Sequence, residues 1–432
     1  MMIDEVRAAV ATEVSSFEVN SFGHLWMDGI HKPNPEREPD IIRRSRTLVA
    51  VARAARRGKP VTLENVIANA NGIRLLDNEV APVLNDFVRR EVLLSRDDGS
   101  YDFKLPIFKA WLKEVGVNRL VSDALGEELA VGILAAEDAA YIRAEEIIAL
   151  VKRWPVYRGH AVSAEAVRAW LEQVESHQDQ RLLFKILESL RFFGEAQIRE
   201  MFATLHSFIR PSLPEFVQRK RAERRMDVLV TYVDGEGKSG QYHAAKYAEH
   251  NGIPVKCIIP PSVFTESLST HVQTWGSPAV LVMIDDIVAT GRSLARNVKK
   301  FVEKNEQALR LNKLPITVLT LASTGDGDQF VREQVAEFDW LDFNIRHCET
   351  LDAKHFAFDE RNEIWANQIE RDRAKSLCRD LGVGIYPDNP LGFGDQGMLV
   401  AFPTTCPNNS LPILHSAGRQ NNWKPLFERV TN

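Results

Sequence analysis

The second half of the sequence predicts an α/β domain built on a largely parallel sheet, and two observations carry that expectation. From Met226 onward, short β-rich apolar runs (VLVTYV, VKCIIPP, AVLVMID, ITVLTLAS and WLDFNI) alternate with helical segments. This is the order required by a parallel sheet with helices on both faces. One of those runs, AVLVMID, ends directly in an acidic pair and a short loop before the next helix. In such sheets ligands bind beyond the C-terminal strand ends, so the residues at those ends decide function. The first half reads as helical with one hairpin signal.

Composition narrows the class. The 432 residues are 44% hydrophobic and 26% charged, with a formal net charge of −5. These values describe a folded chain rather than a disordered or collagen-like one, and any polyanion site must be local. Four cysteines (Cys257, Cys348, Cys378 and Cys406) are widely spaced without a CxxC pair, which argues against a disulfide framework and a structural zinc site and fits a reducing cytoplasm. The N-terminus MMIDEVRAAVATEVSS lacks a basic stretch followed by an apolar core, and no long apolar run follows, so neither secretion nor a membrane partner is expected.

In chain order, residues 1–40 read as an N-terminal segment and linker, because Pro33, Pro35 and Pro39 in HKPNPEREPD disfavour helix. Residues 41–118 form the next unit. IIRRSRTLVAVARAARRG has apolar residues at helical spacing and Gly58 as a C-terminal cap, and TLENVIANA is a second helix. In DNEVAPVLNDFVRRE, Val80, Val83, Leu84, Phe87 and Val88 make one buried helical face. Val92 to Ser95 and Tyr101 to Leu105 flank Asp98-Gly99 as a β-hairpin, and Pro106 opens a closing helix. Three helices, a hairpin and a helix spell a winged helix-turn-helix. Arg43, Arg44, Arg46, Arg53, Arg56 and Arg57 are candidates for DNA phosphate contacts, with Arg53, Arg56 and Arg57 as the nominated residues. A solvated face on a protein-docking module is the competing reading.

Residues 119–225 read as a helical region. Ser163 caps AEAVRAWLEQV, whose Val167, Trp170, Leu171 and Val174 share a face; QRLLFKILESLRFF and AQIREMFATLHSFI show similar stripes, which are core rather than chemistry. The run QRKRAERR reads as a charged helix end.

Residues 226–432 carry the candidate site. In AVLVMIDDIVATGRSL a buried strand runs into Asp285-Asp286, followed by Ala289, Thr290, Gly291, Arg292 and Ser293 and then a helix. Two carboxylates at a strand end can hold vicinal hydroxyls, alone or with Mg²⁺, and the loop offers backbone N–H groups at a helix N-terminus, which suits a phosphate. Hydroxyls at one end and phosphate at the other describe a sugar phosphate. A second strand end, after VLVTYV, carries Asp234-Gly235-Glu236-Gly237-Lys238-Ser239-Gly240. Its glycines allow close approach to a polyanion. A nucleoside-triphosphate P-loop would need glycine where Tyr232 stands.

These residues resemble the 5-phosphoribosyl-1-pyrophosphate (PRPP) motif of type I phosphoribosyltransferases: a hydrophobic strand, two acidic residues and a Thr-Gly loop. The resemblance implies that Asp285 and Asp286 contact the ribose hydroxyls and hold Mg²⁺ together with the ligand, and that Ala289 to Ser293 wrap the 5-phosphate. It also gives the pyrophosphate role to Lys238, Ser239 and Gly240, in a loop more charged than the family's usual one. Residues 260–277, rich in Ser, Thr and Pro, stand where the family carries a catalytic lid, and an ordinary connecting loop explains that composition equally well. Near the C-terminus, NPLGFGDQGMLVAF, CPNNSLPIL and NNWKPLFERV resemble the ending of phosphoribosyltransferase-like proteins of bacterial conflict systems, some encoded beside retron reverse transcriptases. Asn408, Asn409 and Trp423 are candidates for a hood over a base, with surface turn and core roles as the alternative.

The likeness implies a cytoplasmic anti-phage effector, a toxin-like transferase that consumes PRPP or a nucleotide. A reverse transcriptase with its DNA or RNA, an ATPase, or further copies of the chain are its implied partners. YDFKLPIFKAWL also resembles the winged helix that closes many AAA and STAND ATPases. The alternative is a PRPP-sensing regulator that binds DNA without catalysis, as winged-helix purine repressors do.

Overall fold

The structure is a computed structural model that describes residues 13, 14, 16–27, 38–57, 60–70, 73, 75–121, 133–214, 225–233, 239–418 and 422–429. The chain divides into two units: residues 1–154 with 162–188, and residues 155–161 with 189–432.

In the first unit, α1 (Glu38–Arg56) leads to β1 (Val61–Thr62), α2 (Leu63–Ala68), α3 (Asp77–Arg89), β2 (Leu93–Ser95), β3 (Ser100–Phe103) and α4 (Pro106–Trp111). Thr62 starts α2 by accepting a hydrogen bond from the Asn65 amide. The apolar face read in α3 is the buried one: Val80, Val83, Leu84 and Phe87 lie inside. Gly99 turns the hairpin at φ 75°, where other residues are strained. Its strands pair antiparallel, and β1 adds to the far side of β3 to give the order β1-β3-β2. The short strand β1 has no periodicity of its own and was not legible in the sequence. Nor did composition disclose that Phe22 and Trp26, within the expected N-terminal segment, enter this core: Trp26 stacks on Phe108 and Trp111, with ring centroids 6.1 and 6.4 Å away. The proposed Gly58 cap lies outside the described residues.

The unit also holds α5 (Ile133–Ala140), α6 (Ala144–Arg153), α7 (Ala164–Leu171) and α8 (His177–Glu188). Ser163 caps α7, accepting from the Ala166 amide. Residues 119–225, expected as one helical region, are thus divided between two cores. Amphipathic stripes specify that a helix buries a face but not which partner covers it.

The second unit contains the parallel sheet. It comprises β4 (Arg191–Phe192), α9 (Glu195–Ile209), β5 (Val228–Tyr232), α10 (Ser239–His250), α11 (Phe264–Trp275), β6 (Val280–Val288), α12 (Arg292–Asn312), β7 (Ile316–Thr324), α13 (Gly325–Val335), β8 (Phe343–Leu351), α14 (Gln368–Val383), β9 (Val400–Ala401) and α15 (Pro412–His415). Strands β5-β6-β7-β8 lie in that order, all parallel. The run VKCIIPP, expected as a strand, forms a 3-10 turn and a single bridge from Val230 to Ile258. Pro254, Pro260 and Pro261 lack the N–H groups a central strand needs.

The segment that matched a catalytic lid in position is mostly helix α11. Phe264, Leu268 and His271 are buried along one face, and Phe264 meets Phe301 of α12 at 4.8 Å between ring centroids. Its Thr side chains, which made the sequence read as loop, bond to the helix's own backbone: Thr270 and Thr274 donate to the carbonyls of Glu266 and Thr270.

Strands β4 and β9 pair in parallel, Arg191 opposite Val400 and Phe192 opposite Ala401. Phe193 stacks on Phe402 at 4.9 Å, and the Tyr157 hydroxyl donates to the carbonyls of Phe427 and Glu428 at 3.2 and 3.0 Å. The C-terminal ending is thereby part of this unit's core. Among the described residues no helix is long and apolar enough to cross a membrane.

Candidate functional site

Strand β6 positions the acidic pair. Val280 to Ile284 are all buried, consistent with a strand covered on both sides. The strand continues through Val288, so Asp285 and Asp286 are still in the sheet, with Asp285 opposite Thr320 of β7. Successive side chains alternate sides, and that of Asp286 approaches His243 of α10: His243 Nε2 lies 3.8 Å from Asp286 Oδ2. Asp286 is 9% exposed and His243 1%. Burial lowers the His243 pKa, opposed by the nearby Asp286 charge; a neutral imidazole follows. The Asp286 amide donates to Asp285 Oδ1 at 2.9 Å.

The loop after the pair is set by two glycines and a threonine. Gly291 caps α12 in the left-handed region at φ 72°, and a Cβ there would lie 2.5 Å from the Gly327 carbonyl oxygen. A Cβ on Gly327 would in turn collide with the Ala289 carbonyl oxygen. Backbone therefore packs on backbone, which only glycine allows. Thr324, at the end of β7, clasps the same point: its hydroxyl donates to the Ala289 carbonyl at 2.5 Å and accepts from the Gly327 amide at 2.9 Å. Ser323 beside it donates to Asp328, which binds His347 Nδ1 at 2.8 Å. Burial pushes the Asp328 pKa up, but the His347 and Ser323 hydrogen bonds outweigh it and hold the group below its ordinary value.

Ala289 is buried, Thr290 half-buried, and Arg292 and Ser293 exposed at the first turn of α12. A helix N-terminus leaves backbone N–H groups without intrahelical partners, the standard anion-binding arrangement. Asp285, Asp286 and residues 289–293 are thus contiguous around the end of β6. Of the second loop, Lys238 lies outside the described residues, whereas Ser239 and Gly240 open α10 and Gly240 is buried. Among the described residues no group of three or more His, Cys, Asp and Glu side chains could hold a metal ion. The acidic pair therefore fits Mg²⁺ only where a ligand's own oxygens complete its coordination.

The C-terminal ending comes near this loop at one turn. Gly392, Gly394, Asp395 and Gly397 all have positive φ, and a Cβ on Gly394 would stand 3.9 Å from the Thr290 methyl. Asn409, one of the hood candidates, points inward: its amide donates to the Phe393 carbonyl and the Gln396 side chain at 3.2 and 2.9 Å. The Asn408 carbonyl accepts from the Phe393 amide, and Trp423 is a core residue that donates to the Ile413 carbonyl at 2.8 Å.

A model of the family PRTase-CE matches residues 167–429, more than half of the chain. The chain belongs to the PRTase-CE family. No curated protein and no solved structure matches it. The PRTase-CE match covers the sheet, the acidic pair, the Thr-Gly loop and most of the C-terminal ending, and it supports a phosphoribosyltransferase-like domain.

Two of the nominated nucleic-acid residues do not face solvent. Arg53 and Arg56 turn into the first unit, 4% and 5% exposed. Arg53 grips Asp138 Oδ2 through Nε and Nη2 at 3.0 and 2.7 Å, and Arg56 reaches Asp138 Oδ1 at 3.4 Å while its Nε donates to the Lys113 carbonyl. These cations are held inside by Asp138, so only Arg57 of the three is exposed at the end of α1. The sequence separation of 85 residues between Arg53 and Asp138 hid the pairing.

His243, whose lack of any ligand spacing reads in the sequence as an ordinary core or surface residue, is buried beside Asp286. Only the proximity of α10 to β6 makes it relevant.

Proposed function

We propose that this PRTase-CE protein is an effector of a bacterial anti-phage defence system. In this reading it binds PRPP or a related nucleotide with Mg²⁺ and transfers or cleaves at ribose C1. The observation that carries the sugar-phosphate reading is the end of β6: two carboxylates, two further strand residues and a loop of close-packed backbone at the N-terminus of the 21-residue helix α12. A ribose held by Asp285 and Asp286 would place its 5-phosphate against residues 289–293, and Lys238, Ser239 and Gly240 would face the pyrophosphate. When bound, Mg²⁺ would neutralise charge on the departing pyrophosphate. An oxocarbenium-like transition state is helped by carboxylates nearby and needs no dedicated acid-base set.

The first unit is read as a winged-helix module, supported by its helix order and the β1-β3-β2 sheet. Docking of a reverse transcriptase with its nucleic acid, or of an ATPase, suits this unit better than autonomous DNA reading. Besides the inward Arg53 and Arg56, Arg89 and Arg90 at the end of α3 both pair with Asp86. The DNA-binding regulator is accordingly the second reading.

Calorimetric titration with PRPP and Mg²⁺, followed by assay for released pyrophosphate with a panel of bases and nucleotides, tests the proposal. Binding with release is expected. Binding without release would favour the sensor. The double variant Asp285→Asn with Asp286→Asn should lose binding and keep its fold; undiminished affinity would overturn the site.

A further inference from the structure

Every buried polar group needs a partner, and His243 has none among the described residues: neither ring nitrogen makes a hydrogen bond with them, although the side chain is almost wholly enclosed. Its surroundings fix the ring. Phe202 and Tyr242 flank it edge-on, with centroids 6.3 and 5.4 Å away and planes tilted by 63° and 76°. Asp286 Oδ2 lies 3.8 Å from its Nε2. Beside it lies a cavity of about 120 Å³, which His243 lines together with Ile198, Arg199, Phe202 and Tyr242.

We infer that His243 is a positioning residue for Asp286, donating Nε2–H to Oδ2 when the sugar phosphate is bound. The inference rests on the reading of β6 as a ribose site. Hydrogen bonds of working groups are often long in the free protein and tighten in the complex. Closing from 3.8 Å to an ordinary N–H···O separation takes a shift of roughly 0.8 Å. A carboxylate has two oxygens and about four acceptor positions. With Oδ2 held by the imidazole, Oδ1 is presented to a ribose hydroxyl in one orientation, as outer partners orient metal-ligating groups. Orphaned nitrogens in the free state are then the cost of a contact completed only with ligand present.

Three variants test this. His243→Gln keeps a donor at the Nε2 position; His243→Phe keeps a ring without one; Asp286→Asn removes the acceptor. In calorimetric titrations with PRPP and Mg²⁺, His243→Phe should bind about tenfold or more weakly, the order expected for losing a hydrogen bond to a charged group. His243→Gln should stay within about threefold of wild type, and His243→Phe should add nothing in the Asp286→Asn background. Equal losses in the Gln and Phe variants, or full additivity with Asp286→Asn, would overturn the inference. Failure of the wild type to bind PRPP would sink the functional reading instead. The positioning contact is then still decided by ring ¹⁵N resonances of the free protein, read for the tautomer that donation requires: an Nε2–H tautomer supports it, and an Nδ1–H tautomer refutes it.

Discussion

Alanine at Gly291 should damage the protein more than alanine at Gly394 or Gly327, because two separate penalties meet there. The residue sits at φ 72°, a conformation that costs a non-glycine residue roughly 1–2 kcal/mol. Its Cβ would also stand 2.5 Å from the Gly327 carbonyl and 3.1 Å from a Val331 methyl, and forcing atoms into a packed interior costs about 1–3 kcal/mol. Together these give about 2–5 kcal/mol, or a fall in melting temperature of about 4–20 °C for a unit of this size. Two partner variants separate the causes. Gly394→Ala has the backbone penalty at φ 70° but nothing closer than 3.9 Å, so it should cost about 1–2 kcal/mol. Gly327→Ala lies in the regular helix α13 and meets only the steric penalty, about 1–3 kcal/mol. Calorimetric melting of the three variants should rank Gly291→Ala lowest. If Gly291→Ala melts no lower than Gly394→Ala, the close approach of the two backbones does not hold the loop, and the argument for a rigid phosphate cradle fails.

Three more outcomes are expected. Asp138→Ala strips the carboxylate from Arg53 and Arg56 and should destabilise the first unit by about 3–5 kcal/mol in urea unfolding, whereas exposed Arg57→Ala should stay within about 0.5 kcal/mol of wild type. Thr324→Val leaves the Ala289 carbonyl and Gly327 amide without their clasp, which should lower stability by about 1–3 kcal/mol, read from the urea midpoint. Burial pushes the His415 pKa down to about 4, below the ordinary value near 6.5 in an unfolded chain. The unfolded state therefore binds the proton first, so this stabilisation is complete above about pH 6.5 and is lost as pH falls toward 4. His415→Gln should flatten the loss of stability between pH 7.5 and 5, and an unaltered slope would show that His415 does not contribute to it.

The parallel sheet, the acidic pair and the loop at the start of α12 were legible in the sequence because each is local. A continuous apolar strand, two carboxylates and a Thr-Gly turn are neighbours in the chain and follow from the physics of a buried strand feeding a helix. Helix α3 was legible for the same reason, its buried face being written at helical spacing within thirteen residues. Misreadings arose where local signals are ambiguous. VKCIIPP is apolar enough for a strand, yet its prolines allow only a bridge, and the Thr-rich stretch that became α11 hides its hydroxyls by bonding them to its own backbone.

What tertiary structure alone decided is which distant groups meet. Gly327 and Thr324 follow the acidic pair by a whole helix and strand, yet they set its loop. Asp138 turns Arg53 and Arg56 from surface candidates into interior ions. His243 becomes relevant only when α10 lies on β6, and the C-terminal ending comes near Thr290 only through the turn at Gly394. A one-dimensional pattern records that a residue is apolar, charged or glycine; the partner that gives it a role is chosen by packing, which minimises exposed apolar area and unpaired polar groups over the whole unit at once.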